Sequence, residues 1–115
     1  MKGLMILASG VEDVEAIATI DILRRAQVRF SCVTLKPTND VITSLNNHLV
    51  FDSSLKDIDY QECDFLILPG GPVVLKELEK NSKIEEIVRY FCDNNLLVCA
   101  ICAAPLLIGK HGYFK

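Results

Sequence analysis

A chain of 115 residues, 50% of them hydrophobic and 23% charged, allows one domain with an ordinary core and excludes a disordered or fibrous class. The formal net charge of -3, with lysines and arginines scattered apart from Arg24-Arg25, argues against a nucleic-acid partner. No apolar run approaches the roughly 20 residues of a spanning helix, and Glu12, Asp13 and Glu15 stand where a signal peptide would be cleaved, so no membrane partner and a cytoplasmic location are expected.

Taken in order, Gly3 to Ala8 reads as a buried strand that leaves through Ser9-Gly10. A helix follows from about Glu12 to Ala26, acidic in its first turn and closed by Arg24-Arg25, which suits the macrodipole at both ends. Val28 to Leu35 is a second strand, and this β-α-β opening predicts a parallel sheet. Val41–Ser44 and His48–Asp52 predict a small antiparallel excursion turned by Asn46-Asn47, with His48 at the surface. Ser53 to Glu62 is polar and is expected on the surface. Asp64 to Leu68 is a third apolar strand of the sheet, stopped by Pro69-Gly70-Gly71-Pro72. Val73 to Asn94 is helical in two pieces, the second capped by Ser82, and Leu96 to Ile101 suits a strand buried on both faces.

The stretch Leu96 to Lys110 carries the chemistry. Cys102 lies between an apolar strand and a helix opened by Pro105, with Ala100, Ala103 and Ala104 leaving room for a sharp turn. Those are the mechanics of a nucleophile elbow with Cys in place of Ser, and a helix N-terminus behind the sulfur favours thiolate. The competing reading is a buried structural cysteine, which would need none of the small neighbours. The odd set of five cysteines (32, 63, 92, 99 and 102) argues for reduced thiols rather than a disulfide framework. Cys99-Ala-Ile-Cys102 spells C-x-x-C, yet Cys99 falls inside the strand, and no second pair or convergent histidine supports zinc.

In open sheets ligands gather at the carboxyl ends of the strands, where Gly10 to Glu15, Pro69 to Pro72 and Cys102 should converge. Gly70 and Gly71 serve either as a turn or as an oxyanion cradle, a glycine N–H joining that of Ala103. Glu15 shares an ideal helical face with Val11, Ala18 and Ile22. Burial there would raise its pKa and leave a carboxyl able to bond the sulfur and carry protons. Glu12 and Asp13 read as solvated first-turn charges.

Four segments, Gly10-Val-Glu-Asp-Val-Glu15, Asp21-Ile-Leu-Arg-Arg-Ala26, Leu68-Pro-Gly-Gly71 and Ala100-Ile-Cys-Ala-Ala-Pro105, resemble in order and spacing the ThiJ/PfpI family, nearest its parkinsonism-associated protein deglycase subgroup and bacterial relatives. The resemblance implies a single α/β domain of flavodoxin-like α/β/α sandwich form, without cofactor, usually a homodimer. It implies Cys102 as nucleophile, Glu15 as its protonated partner, and Gly71 and Ala103 as oxyanion donors with Gly70 in support. The substrates implied are glyoxal-type carbonyls or early glycation adducts; some members serve instead as cysteine redox sensors or holdase chaperones. Ala103 stands where the protease-like branch has His, so a peptidase is not expected. His111 does not match the family's catalytic-site histidine and reads as a helix-end residue. The chain is therefore expected to be the N-terminal portion of the functional unit, completed by a second polypeptide segment that brings further strands and a histidine.

Overall fold

The computed structural model describes residues 1–51, 53–71, 73–102, 104–110 and 112. Its centre is β1 (Gly3–Leu7), a GLMIL run buried at every position, and the same holds for β6 (Phe65–Leu68). Successive side chains of a strand point to opposite faces, so a strand buried throughout needs cover on both sides. With β2 (Phe30–Thr34), β5 (Ser53–Ser54) and β7 (Leu97–Ala100), these two form a five-stranded sheet in the order β5-β2-β1-β6-β7. All pairings are parallel: Gly3 lies opposite Phe30 on one side and Phe65 on the other, and Phe65 opposite Leu97.

The order runs outward from β1 in both directions, so the connections diverge at the β1–β6 boundary. Right-handed crossovers that run in opposite directions place their helices on opposite faces. The first is α1 (Asp13–Arg25), between β1 and β2; the second comprises α2 (Val74–Glu79) and α3 (Ser82–Asp93), between β6 and β7. The result is the α/β/α sandwich of a flavodoxin-like domain. α3 buries Ile84, Ile87, Val88 and Phe91, the spacing of one helical face, against the sheet. A short α4 (Pro105–Lys110) follows β7, and a hairpin of β3 (Asp40–Ile42) and β4 (His48–Val50) stands apart from the sheet, its turn formed with Asn46 at φ 65°.

Four expectations need correction. The stretch from Ser53 to Glu62 is not a polar surface segment: Ser53–Ser54 pairs with β2, and the two 3-10 turns after it bury Leu55 and Tyr60. Asn81, not Ser82, caps α3, its side chain accepting from the Lys83 N–H. Among the described residues β7 is an edge strand, with Leu97 63% exposed, because none of their strands pairs its outer side. On α1 the inward residues are Ala16, Ile20 and Leu23, while Ile22 faces solvent, so Glu15 does not share a buried stripe with it.

Candidate active site

The carboxyl ends of β1, β6 and β7 deliver three loops to the boundary where the connections diverge, the place where such sheets bind ligands. The loops interlock through backbone. Glu12 N–H donates to Gly70 O at 2.8 Å, Gly70 N–H donates to Glu15 Oε1 at 3.1 Å, and Ile101 N–H donates to Leu68 O at 3.2 Å. Gly70 lies at the junction. A Cβ placed there would stand 2.5 Å from Ile101 O, 2.9 Å from Glu15 Oε1 and 3.0 Å from Cys102 Cβ. Only glycine lets the acid and the cysteine come this near to one backbone. Gly71, at φ 153°, is equally confined, a Cβ there meeting Gly10 O and the Glu12 N–H.

Cys102 is exposed and adopts φ 59°, a left-handed conformation that few residues other than glycine take up. A local strain of about 1–3 kcal/mol is ordinary for such a residue and turns its side chain out of the strand direction. The thiol thus stands free of the core at the turn between β7 and α4. Cys32 and Cys63, by contrast, are buried, and desolvation pushes the thiols of Cys63 and Cys92 upward in pKa, away from thiolate.

Glu15 is half-buried in the first turn of α1. Its N–H is held by the Glu12 carboxylate at 2.8 Å, so Glu12 is the N-cap of the helix rather than a solvated charge. The expected hydrogen bond between Glu15 and the Cys102 sulfur is not formed; Oε1 is taken by the Gly70 N–H, which lies between them. Oε2 has no partner among the described residues. The Gly71 N–H likewise donates to none of them, whereas that of Gly70 is committed to Glu15. Ala103 and His111 fall outside the described residues. Among those described, no group of three His, Cys, Asp or Glu side chains could hold a metal ion.

Asp13, expected as a solvated first-turn charge, is instead bonded to the hairpin turn. Its carboxylate accepts from Thr43 Oγ1 at 2.6 Å, Asn47 Nδ2 at 2.5 Å, Ser44 Oγ at 3.3 Å and Leu45 N–H at 3.3 Å. These bonds, that of Thr43 first, hold its pKa below the usual carboxylate value. The sequence carries a weak signal at most, the polar side chains of Thr43, Ser44 and Asn47 gathered in one turn.

The whole chain, residues 1–115, matches the model of the DJ-1/PfpI family. The chain belongs to the DJ-1/PfpI family. It is 33% identical over 111 residues to protein dj-1beta of Drosophila melanogaster, covering 96% of this chain and 59% of that one. It is 31% identical over 112 residues to the Parkinson disease protein 7 homolog of Danio rerio, again covering 96% of this chain and 59% of the relative. The crystal structure of the fly DJ-1beta superposes with a TM-score of 0.90 at 32% identity, over 96% of this chain and 60% of the fly chain. An oxidised form of Toxoplasma gondii DJ-1 superposes equally well, TM-score 0.90 at 25% identity, over 97% and 61% of the two chains. The chain thus spans about 60% of the length of these DJ-1/PfpI relatives. No helix among the described residues is long and apolar enough to cross a membrane.

Proposed function

We propose that this DJ-1/PfpI chain carries the reactive centre of a cysteine-dependent enzyme of the glyoxalase or deglycase type, acting on small reactive carbonyls or early glycation adducts. The observation that carries the reading is the meeting of Cys102 and Glu15 at Gly70, with Cys102 exposed in a left-handed turn. In the proposed reaction the Cys102 thiolate adds to an aldehyde carbon, and the C=O electron pair moves onto oxygen. The Gly71 N–H, with that of Ala103 as the family pattern implies, holds this oxyanion. Protonation gives a hemithioacetal. Glu15, through Oε2, then takes the C–H proton of the hemithioacetal and returns it at the neighbouring carbonyl carbon while the hydroxyl proton passes to that carbon's oxygen, giving a 2-hydroxy thioester whose C–S bond water cleaves to release the hydroxy acid and the thiol.

The protein is proposed to act as a homodimer. In support, α1 leaves Val14 68% and Ile17 44% exposed, in an open concavity of about 600 Å3 that Ala18, His48 and Leu49 also line. The bare outer side of β7, with Ile101 also exposed, suits a further polypeptide segment that extends the sheet and brings the histidine the family pattern implies. A redox-sensor or holdase role is a second reading, favoured by the exposure of Cys102 and by the oxidised state named for the Toxoplasma relative.

Turnover of methylglyoxal by the wild type and by Cys102→Ser separates the two. The enzymatic reading expects lactate formation that falls by at least roughly 1000-fold with the nucleophile gone. Equal rates for the two proteins overturn it, and a wild type without turnover whose Cys102 oxidises under mild peroxide supports the sensor.

A further inference from the structure

We propose that Asp13 is a positioning residue of the Cys102 site: by clamping the turn of the β3–β4 hairpin it holds the first turn of α1, and with it Glu15, against Gly70. The proposal rests on the reading above only for what Glu15 does to substrate. The clamp itself is geometry. An ionised carboxylate accepts about four hydrogen bonds and donates none, and Asp13 receives four, all from one turn and all from neutral donors. Two backbone bonds run alongside, Ser44 N–H to Val11 O at 2.9 Å and Gly10 N–H to Ile42 O at 2.8 Å. Thr43 is 3% exposed, so the hairpin end of the clamp is itself fixed in the fold.

The clamp reaches the site through the first turn of α1. Asp13 lies between Glu12, whose N–H is bonded to Gly70 O and whose carboxylate caps Glu15 N–H, and the helical turn that carries Glu15 itself. Any slack between the hairpin and Asp13 shifts residues 10–13 against Gly70 and lengthens the Gly70 N–H to Glu15 Oε1 bond, the contact that sets where the free Oε2 points. A neutral amide at position 13 cannot substitute. Asn accepts at one oxygen only, so the hydroxyl or amide facing its NH2 must turn round to accept, and the charge that shortens and strengthens the carboxylate's bonds is lost.

The test is backbone amide hydrogen exchange by NMR on the full chain in the wild type, Asp13→Asn and Thr43→Val. A clamp predicts roughly tenfold faster exchange at Gly70 in Asp13→Asn, with a smaller change of the same sign in Thr43→Val, while the core amides of Leu4 and Leu66 stay unchanged. A purely structural role would speed all of these together. Faster exchange at Ser44 and Leu45 with Gly70 unaltered, or uniform acceleration across the core, overturns the proposal. If Asp13→Asn fails to fold, Thr43→Val alone decides on the same comparison. A coupled readout ties the clamp to Glu15. The effects of Asp13→Asn and Glu15→Gln on the rate of Cys102 alkylation should be non-additive if one acts through the other, and additivity counts against it. Absence of methylglyoxal turnover in the wild type would defeat the enzymatic reading and leave the exchange result to decide this one.

Discussion

The two sides of the reactive site are built differently. On the α1 side the chain from Gly10 to Glu15 is tied down at nearly every residue: to the hairpin through Asp13 and Gly10, to the β6 loop through Glu12, and to itself through the Glu12 cap. On the other side Cys102 follows β7, whose Leu97 is exposed and whose Val98, Cys99 and Ala100 are only half-buried, and Ile101 just beyond the strand is exposed as well. Positions that hold an acid in one orientation are thus over-determined, whereas the nucleophile sits where cover is thinnest. The difference suits a site in which the proton-carrying group must be placed and the sulfur must be reached.

The largest effect that would test this contrast is one of packing. Leu66 on β6 and Leu97 on β7 belong to adjacent paired strands, yet Leu66 is fully buried and Leu97 is largely exposed. Leu66→Ala should cost about 3 kcal/mol, transfer and cavity together, while Leu97→Ala should stay within about 0.5 kcal/mol. Urea unfolding of the two variants measures both, and a Leu97→Ala cost near that of Leu66→Ala would mean that the edge of β7 is covered in solution.

A kinetic version of the comparison uses the five thiols. At neutral pH Cys102 should alkylate at least roughly tenfold faster than Cys32, Cys63, Cys92 or Cys99. Two causes combine. Cys32 and Cys63 are shielded, and burial drives the thiols of Cys63 and Cys92 toward the neutral form, whereas Cys102 stands in the open turn. Mass-spectrometric mapping of the first site modified by iodoacetamide gives the order, and prior modification of any other cysteine would contradict it.

The contrast also marks what could be read without coordinates. Strand β1, strand β6 and helix α1 were legible because their signals are local: unbroken apolar runs, acidic and basic helix ends, and glycines where loops must meet. The convergence of Gly10–Glu15, Gly70–Gly71 and Cys102 was legible for a topological reason, since parallel strands present all their carboxyl ends on one side. What escaped depends on partners distant in sequence. Nothing near Asp13 reveals that Thr43 and Asn47, some thirty residues on, will bond it. Ser53-Ser54 is too short and too polar to declare itself a strand until Val33 and Thr34 are beside it. The apolar run of β7 reads as doubly buried from composition alone, because composition does not tell a central strand from an edge. The bond from the Gly70 N–H to Glu15 Oε1 is of the same kind, since a backbone N–H from an adjacent loop leaves no trace in a helical wheel.

The smallest expected effect is an acid one, and it falls on the tightly held side. Asp13 and Asp40 both have pKa values held below the usual carboxylate range, Asp13 by its Thr43 and Asn47 bonds and Asp40 by those from Thr38 and His48. A carboxylate depressed in the folded state stabilises it fully above the ordinary unfolded value of 3.8, and loses that contribution as pH falls through the lower folded value. Between neutrality and about pH 5 these two groups therefore leave stability flat, and below about pH 4 the hairpin and the start of α1 should loosen before the β1–β6 centre does. Both carboxylates are solvent-accessible, so the change is modest. Urea midpoints at pH 6 and pH 3 for wild type and Asp13→Asn give the measure. The variant is less stable at pH 6, where only the wild type carries the charged acceptor, and the gap narrows at pH 3 because below the ordinary carboxylate value the unfolded wild type gains a proton that Asp13 in the folded state resists. A gap that stays constant across the range would mean that the Asp13 bonds do not depend on its charge, and the α1 side would then owe its rigidity to backbone contacts alone.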